Sequence, residues 1–82
     1  MAGRARQLIA RNVRALREAR RMTQEDLAGE AEVDRSYISE IENAHFSVSA
    51  DLVEKLADVF GVEIYEMFHP DTAENAKHAS LG

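Results

Sequence analysis

A helix-start pattern repeated three times constrains this chain more than any other feature. In each repeat, one apolar residue precedes a polar capping residue and another apolar residue follows four positions later. The capping residues are Thr23, Asp34 and Ser49, and the apolar pairs are Met22 with Leu27, Val33 with Ile38, and Val48 with Val53. Such a cap accepts a hydrogen bond from a free amide of the first turn, and the apolar pair packs across it. The pattern predicts three short helices in close succession.

Apolar residues at helical spacing extend this prediction to an all-α chain. We expect helices over about residues 4–20, 24–31, 35–43, 50–60 and 64–68. Gly61 suits the end of the fourth helix, and Pro70 ends the fifth. The fold class is therefore a compact five-helix bundle. The length fits one domain, residues 1–70, followed by a polar C-terminal tail, residues 71–82, that frays or adds a weak last turn of helix.

The formal net charge is −5, and the charges are strongly segregated along the chain. Residues 1–21 hold seven arginines and one glutamate, whereas residues 22–82 hold three basic and fourteen acidic residues. A basic segment can face the phosphates of a nucleic acid while the acidic remainder points away. An arginine-rich helix that is merely solvated has the same composition, so charge alone leaves both interpretations open.

Several function classes are disfavoured by what the sequence lacks. There is no cysteine for a disulfide or a zinc site, and His45, His69 and His78 lack metal-ligand spacing, so we expect no metal and no cofactor. We find no glycine-rich phosphate loop and no convincing nucleophile–base pair, so we expect no enzyme. Apolar runs are too short to span a membrane, and no apolar segment follows the basic start. A cytoplasmic protein with no membrane partner is the expectation.

The second and third predicted helices are separated only by Glu32, Val33 and Asp34. Two short helices joined by such a tight turn form the arrangement that places the second helix in the DNA major groove. Ile38, Ile41 and Leu27 are spaced to face the core, which leaves the other side of the third helix outward.

The central sequence resembles the lambda-repressor-like helix-turn-helix family, also called Cro/Xre. The resemblance rests on Leu16-Arg17, on MTQEDLA from position 22, on VDRSYISEIEN from position 33 and on the helix from Leu52 to Ala57. The resemblance covers roughly residues 5–68. Within the family, the sequence is similar to small stand-alone regulators such as restriction–modification controller proteins. It implies a transcriptional regulator that binds a palindromic DNA operator as a homodimer. The alternative is an antitoxin or co-regulator whose helix-turn-helix domain mainly binds a protein.

The resemblance also implies roles for individual residues. Base contacts are expected from Arg35, Ser36, Tyr37, Ser39 and Glu40, and phosphate contacts from Gln24, Asn43, Arg17 and His45. The fork of Arg35 fits the O6 and N7 atoms of guanine, whereas Glu40 either accepts from a cytosine amino group or repels wrong sequences. We also expect Gln24 to brace the recognition helix, and the loop of His45, Phe46 and Ser47 to lie beside the DNA backbone.

Two further expectations concern the scaffold. Arg17 and Glu42 occupy the positions of the family's ion pair between the first and third helices. Arg21, Glu32 and Ala44 stand where the family often has glycine, so these turns either adopt other conformations or accept strain.

The end of the predicted bundle is rich in large apolar residues, which favours a homodimer. The expected interface is Phe60, Val62, Ile64, Tyr65, Met67 and Phe68. The competing interpretation is that Val62, Ile64 and Phe68 close the monomer core; we expect both roles, with Tyr65 and Met67 shared. Acidic residues on the third and fourth helices leave RNA polymerase open as a further partner.

Overall fold

The computed structural model describes residues 3–45 and 47–81. Within these ranges the chain is entirely helical and has no strand. The elements are α1 (Arg4–Ala19), α2 (Gln24–Ala31), α3 (Arg35–Glu42), α4 (Ala50–Phe60), a 3₁₀ helix (Ile64–Met67) and α5 (Thr72–Leu81). The all-α prediction is confirmed, and α2 and α4 have the predicted bounds. Two details differ, because the predicted fifth helix is a 3₁₀ helix and the expected polar tail contains α5.

Local side-chain caps explain why α2 and α4 begin where they do. The Thr23 hydroxyl accepts a hydrogen bond from the Asp26 amide at 3.0 Å, and the Asp26 carboxylate accepts one from the Thr23 amide at 2.9 Å. The Ser49 hydroxyl accepts from the Leu52 amide at 3.1 Å. Asp34 precedes α3 in an extended conformation, but its side chain makes no such bond within the described residues. Two of the three predicted caps are therefore confirmed as hydrogen bonds.

Three helix ends are closed by residues other than glycine in the left-handed conformation. Arg21, Glu32 and Ala44 have φ values of 55°, 59° and 58°. This conformation costs an L residue roughly 1–2 kcal/mol, because Cβ approaches the following carbonyl oxygen. The chain therefore keeps the turn geometry that favours glycine and accepts the strain.

The core lies between α1 and the other helices. Its largest fully buried apolar side chains are Leu27, Ile38, Ile41, Leu56, Met67 and Val13. Burying a side chain of this size contributes about 1.5–3 kcal/mol, so α2 and α3 are held by the residues that their apolar spacing predicted. No helix in the described ranges is both long enough and apolar enough to cross a membrane.

Asn12, a buried polar residue of α1, holds the segment between the 3₁₀ helix and α5. Its Nδ2 donates to the carbonyl oxygens of Met67 at 2.8 Å and His69 at 3.0 Å. Arg11, next to it, donates to the carbonyl oxygen of Pro70 at 2.7 Å. The Oδ1 atom of Asn12 is buried without a hydrogen-bond partner among the described residues. Leaving such an acceptor unpaired costs about 1–3 kcal/mol, which the clamp on the main-chain carbonyls offsets.

Packing against α1 also explains why residues 72–81 form a helix. The α5 helix lies on α1, where Ala76 and Thr72 are buried. The Thr72 hydroxyl donates a hydrogen bond to the carbonyl oxygen of Glu66, which ties the start of α5 to the 3₁₀ helix. The packing on α1 involves residues distant in sequence, so the short apolar pattern of the segment did not reveal it.

Candidate nucleic-acid interface

Helices α2 and α3 form a helix-turn-helix unit with a tight, hydrogen-bonded corner. The amide of Glu32 donates to the Gly29 carbonyl oxygen at 3.3 Å, and the amide of Val33 donates to that of Ala28 at 3.0 Å. Across the corner, Ala28 and Ile38 are both buried. Because the inner face of α3 is occupied by the core, its opposite face points away from the protein.

The outward face of α3 carries the residues expected to contact bases. Arg35, Ser36, Tyr37 and Glu40 are exposed, and Ser39 is half-buried. A rod-like helix whose first turn stands exposed is the geometry with which helix-turn-helix proteins enter the major groove.

Glu42 lies beneath that surface and connects α3 to α1. Its side chain is 0% exposed. The Nε and Nη2 atoms of Arg17 donate to the two Glu42 carboxylate oxygens at 2.7 and 3.0 Å, and Nη1 donates to the Met22 carbonyl oxygen at 2.8 Å. The hydrogen bond with Glu42 raises the pKa of the Arg17 guanidinium above its ordinary value. Arg14 adds a longer ion pair to the same carboxylate at 3.5 Å. Losing one partner of a buried pair costs about 3–5 kcal/mol, so this cluster fixes α3 on α1.

Gln24, the first residue of α2, extends the cluster to the surface. Its Nε2 donates to Glu42 Oε1 at 3.1 Å, and its Oε1 accepts from Arg35 Nη1 at 3.2 Å. An unbroken series of side-chain hydrogen bonds therefore runs from Arg17 through Glu42 and Gln24 to Arg35. Gln24 therefore braces α3, as expected from the sequence, through Glu42 and Arg35. That Glu42 is one of its partners was not expected, because this depends on how α2 and α3 pack.

The remaining expected phosphate contacts lie at the far end of α3. Asn43 is exposed, and its Nδ2 donates to the Ser39 carbonyl oxygen at 2.8 Å. His45 is exposed, with Nδ1 3.8 Å from Glu40 Oε2. Phe46, which was expected beside the DNA backbone, lies outside the described residues. No group of three or more potential metal ligands occurs among the described residues.

Four arginines, three in α1 and one just after its end, bind acceptors within the protein. Arg20 donates from Nη2 to the Phe60 carbonyl oxygen at 2.7 Å, and its guanidinium lies 5.4 Å from the centre of the Phe60 ring. Arg11, Arg14 and Arg17 bind the Pro70 carbonyl and the Glu42 carboxylate as described above. Much of the positive charge of residues 1–21 therefore stabilises the fold, a role that composition could not distinguish from phosphate binding.

A separate apolar surface lies on and beside the 3₁₀ helix. Ile64, Tyr65 and Phe68 are 48%, 67% and 39% exposed. Phe60 and Met67, which were expected at the dimer interface, are instead 3% and 0% exposed within the monomer. Both side chains point into the core, Phe60 at the end of α4 and Met67 at the end of the 3₁₀ helix. Val62 is partly buried against the same core, whereas the expectation that Ile64 and Phe68 also close it is wrong.

The all-helical fold and the exposed outer face of α3 define a helix-turn-helix protein with an exposed recognition helix. Residues 13–67, from α1 to the 3₁₀ helix, match the helix-turn-helix family HTH_3, and the chain belongs to this Cro/C1-type family of DNA-binding transcription regulators. The resemblance seen in the sequence is thereby confirmed. Regulators of this family are not enzymes, in agreement with the expectation from the sequence.

Individual relatives agree with this assignment. The chain is 35% identical over 78 residues to the control protein C.BamHI of Bacillus amyloliquefaciens, covering 94% of this chain and 96% of that protein. It is 32% identical over 65 residues, 79% of this chain, to a hypothetical transcription factor of Neisseria meningitidis, and spans only 61% of that protein's length.

Two solved structures share the fold. The crystal structure of the hypothetical transcription factor NHTF from Neisseria superposes with a TM-score of 0.80 at 31% identity, covering 90% of this chain and 84% of that one. The clp gene regulator ClgR of Corynebacterium glutamicum gives 0.76 at 21% identity, covering 94% and 81%, and supports the fold alone.

Proposed function

We propose that the protein binds a palindromic DNA operator as a homodimer, with one α3 helix in the major groove of each half-site. The observation that carries this proposal is the exposed outer face of α3, on which Gln24 holds Arg35 by a hydrogen bond of 3.2 Å. An arginine positioned this way can donate to O6 and N7 of guanine, worth about 1–3 kcal/mol against a wrong base. Ser36, Tyr37, Ser39 and Glu40 complete the proposed base-reading surface.

The proposed phosphate contacts flank this surface. Gln24 lies at the N-terminus of α2, where free backbone amides and the helix dipole favour an anion. Its second amide hydrogen remains available for phosphate while the first is bound to Glu42. Asn43 and His45 are placed to contact the strand at the other end of α3, and Arg17 contributes through the donors that its ion pair leaves over.

The second copy is proposed to dock on Ile64, Tyr65 and Phe68. Large exposed apolar side chains gathered in one patch are characteristic of interfaces. A two-fold axis through this patch would make the contact self-complementary, and reading two half-sites requires the two recognition helices to lie about 34–36 Å apart on one side of the duplex. DNA binding and dimerisation are assigned in this proposal to residues 1–70, with α5 packing on α1. Exposed acidic residues of α4, such as Glu54, are the proposed RNA polymerase contacts.

DNA binding is tested by selecting sites from random duplexes and measuring fluorescence anisotropy on the selected duplex at several salt concentrations. We expect affinity to fall steeply with salt, because phosphate contacts release counterions. Arg35→Ala should remove about 1–3 kcal/mol of specific affinity and relax one position in each half-site. Asn43→Ala, the matched control, should weaken all duplexes evenly. Absence of duplex binding at low salt would refute the proposal and favour a partner protein.

Dimerisation is tested by sedimentation equilibrium at micromolar concentration, with and without the selected duplex. We expect a dimer for the natural sequence and a monomer for Tyr65→Asp, because the charge would be buried in the interface. Asp58→Ser, an exposed change on α4, is the control that should leave the mass unchanged. A natural protein that remains monomeric in both conditions contradicts the homodimer.

A further inference from the structure

We infer that Glu42, a buried residue that cannot reach DNA, determines base specificity by fixing the orientation of Gln24 and thereby of Arg35. This inference rests on the proposed operator binding. Glu42 is a positioning residue, and its effect on DNA passes through two hydrogen bonds of 3.1 and 3.2 Å. The kind of base that it favours follows from the directions of these two bonds.

The first step is the orientation of the Gln24 amide. A carboxylate only accepts hydrogen bonds, and its side chain here is 0% exposed, so water cannot substitute for its partners. Gln24 must therefore present its NH₂ group to Glu42. The opposite orientation would set the Gln24 oxygen against the carboxylate and its NH₂ against the Arg35 guanidinium. One buried charge thus determines which amide atom faces the surface.

The second step concerns the residue at position 35. Because the Gln24 oxygen faces outward, it needs a donor there, and Arg35 supplies one from Nη1. This contact leaves the Nε and Nη2 donors together on the free edge of the guanidinium. Two parallel donors match the paired acceptors O6 and N7 of guanine, whereas adenine offers N7 beside an amino donor. The network therefore favours guanine read by the Nε–Nη2 edge of Arg35.

The test compares affinities for the selected operator with guanine, adenine or 7-deazaguanine at the position that Arg35→Ala identifies. Glu42→Gln keeps the size of the side chain but can both donate and accept, so the Gln24 amide is no longer fixed. Gln24→Met removes the link while leaving the pair between Arg17 and Glu42 intact. We expect both variants to reduce the guanine-to-adenine affinity ratio at least about five-fold. They should also reduce the loss of affinity that 7-deazaguanine, which lacks the N7 acceptor, causes in the natural protein.

Val13→Ala is the control for lost stability, because Val13 is fully buried in α1 and belongs to no part of this network. It should lower the melting temperature yet keep the guanine-to-adenine ratio within about two-fold of the natural value. If Glu42→Gln does not fold, Gln24→Met alone decides the question. The inference is overturned if either Glu42→Gln or Gln24→Met, folded and bound to DNA, keeps the full ratio. It also fails if Val13→Ala loses the ratio equally.

Failure of the proposed function has a different signature. In that case the natural protein binds no duplex, or Arg35→Ala changes no single position of the operator. An intact response to Arg35→Ala together with an unchanged ratio in Gln24→Met refutes only the role of Glu42.

Discussion

Replacing Glu32 by glycine should stabilise the protein, because this residue carries two separate penalties. It ends α2 with φ 59° and ψ 44°, in the left-handed region. Its carboxylate also lies at the C-terminus of α2, where the helix dipole is negative. The side chain is exposed, so its removal leaves no cavity.

The magnitude follows from three opposing contributions. Relief of the left-handed strain contributes roughly 1–2 kcal/mol, and removal of the unfavourable charge contributes about 0.3–1 kcal/mol. The greater freedom of glycine in the unfolded chain costs about 0.5–1 kcal/mol. The net gain expected is about 1 kcal/mol, and in a domain of this size that raises the melting temperature by about 4–8 °C.

The assay is thermal unfolding followed by circular dichroism, with urea unfolding as a second measure. Glu32→Gln is the matched control, since it removes the charge and keeps the strained backbone, so it should gain only the smaller electrostatic part. Operator affinity should be unchanged in both variants, because the turn keeps its conformation. A glycine variant that is no more stable than the glutamine variant would refute the backbone argument.

Three further predictions concern stability. Gly29→Ala should raise the free energy of unfolding, measured in urea, by about 0.5–1 kcal/mol, because Gly29 lies within α2 with open space around the added methyl group. Gly61→Ala should instead lower it, because φ at Gly61 is 71°. Asn12→Asp should cost at least about 2 kcal/mol at neutral pH, since the clamped carbonyls lose their donor, and should recover part of it in acid, where the carboxyl can donate; equal losses at pH 7 and pH 4 would contradict this role. Hydrogen bonds from the backbone amide and the side chain of Thr23 hold the pKa of Asp26 below its ordinary value. The contribution of Asp26 to the free energy of unfolding is therefore complete above about pH 4 and is lost as the pH falls through the lowered pKa. Asp26→Asn should weaken the pH dependence of the free energy of unfolding in this acid range. An unchanged pH dependence would exclude Asp26 as its cause.

The elements that could be predicted from the sequence are those that local interactions determine. Thr23 and Ser49 find their hydrogen-bond partners three residues away, so the starts of α2 and α4 are encoded within a single turn. The helix over residues 72–81 is different, because its stability comes from contacts with α1 across the whole length of the chain. Its small side chains give a weak periodic pattern, and the sequence alone therefore indicated only a tail.

The same distinction applies to the candidate interface. The spacing of Ile38 and Ile41 already directed Arg35 outward, and the structure has this arrangement. The clamp formed by Asn12 was not predictable, because its acceptors lie 55 and 57 positions along the chain and are main-chain atoms without a sequence signature. The link from Glu42 to Gln24 was missed for a similar reason, since a buried carboxylate has several compatible partners until the packing is known.

The engagement of four arginines in and just after α1 inside their own protomer has a consequence for gene control. With those cations engaged inside the protein and an overall charge of −5, one protomer has few side chains left for phosphate, so we expect a lone half-site to be held weakly and the salt dependence proposed above to come from both protomers together. In the two-fold assembly proposed above, firm occupancy requires both protomers together. Below the dimerisation constant, operator filling then grows with the square of the protomer concentration. A modest rise in the synthesis of this protein would therefore switch the regulated promoter over a narrow range of protomer concentration.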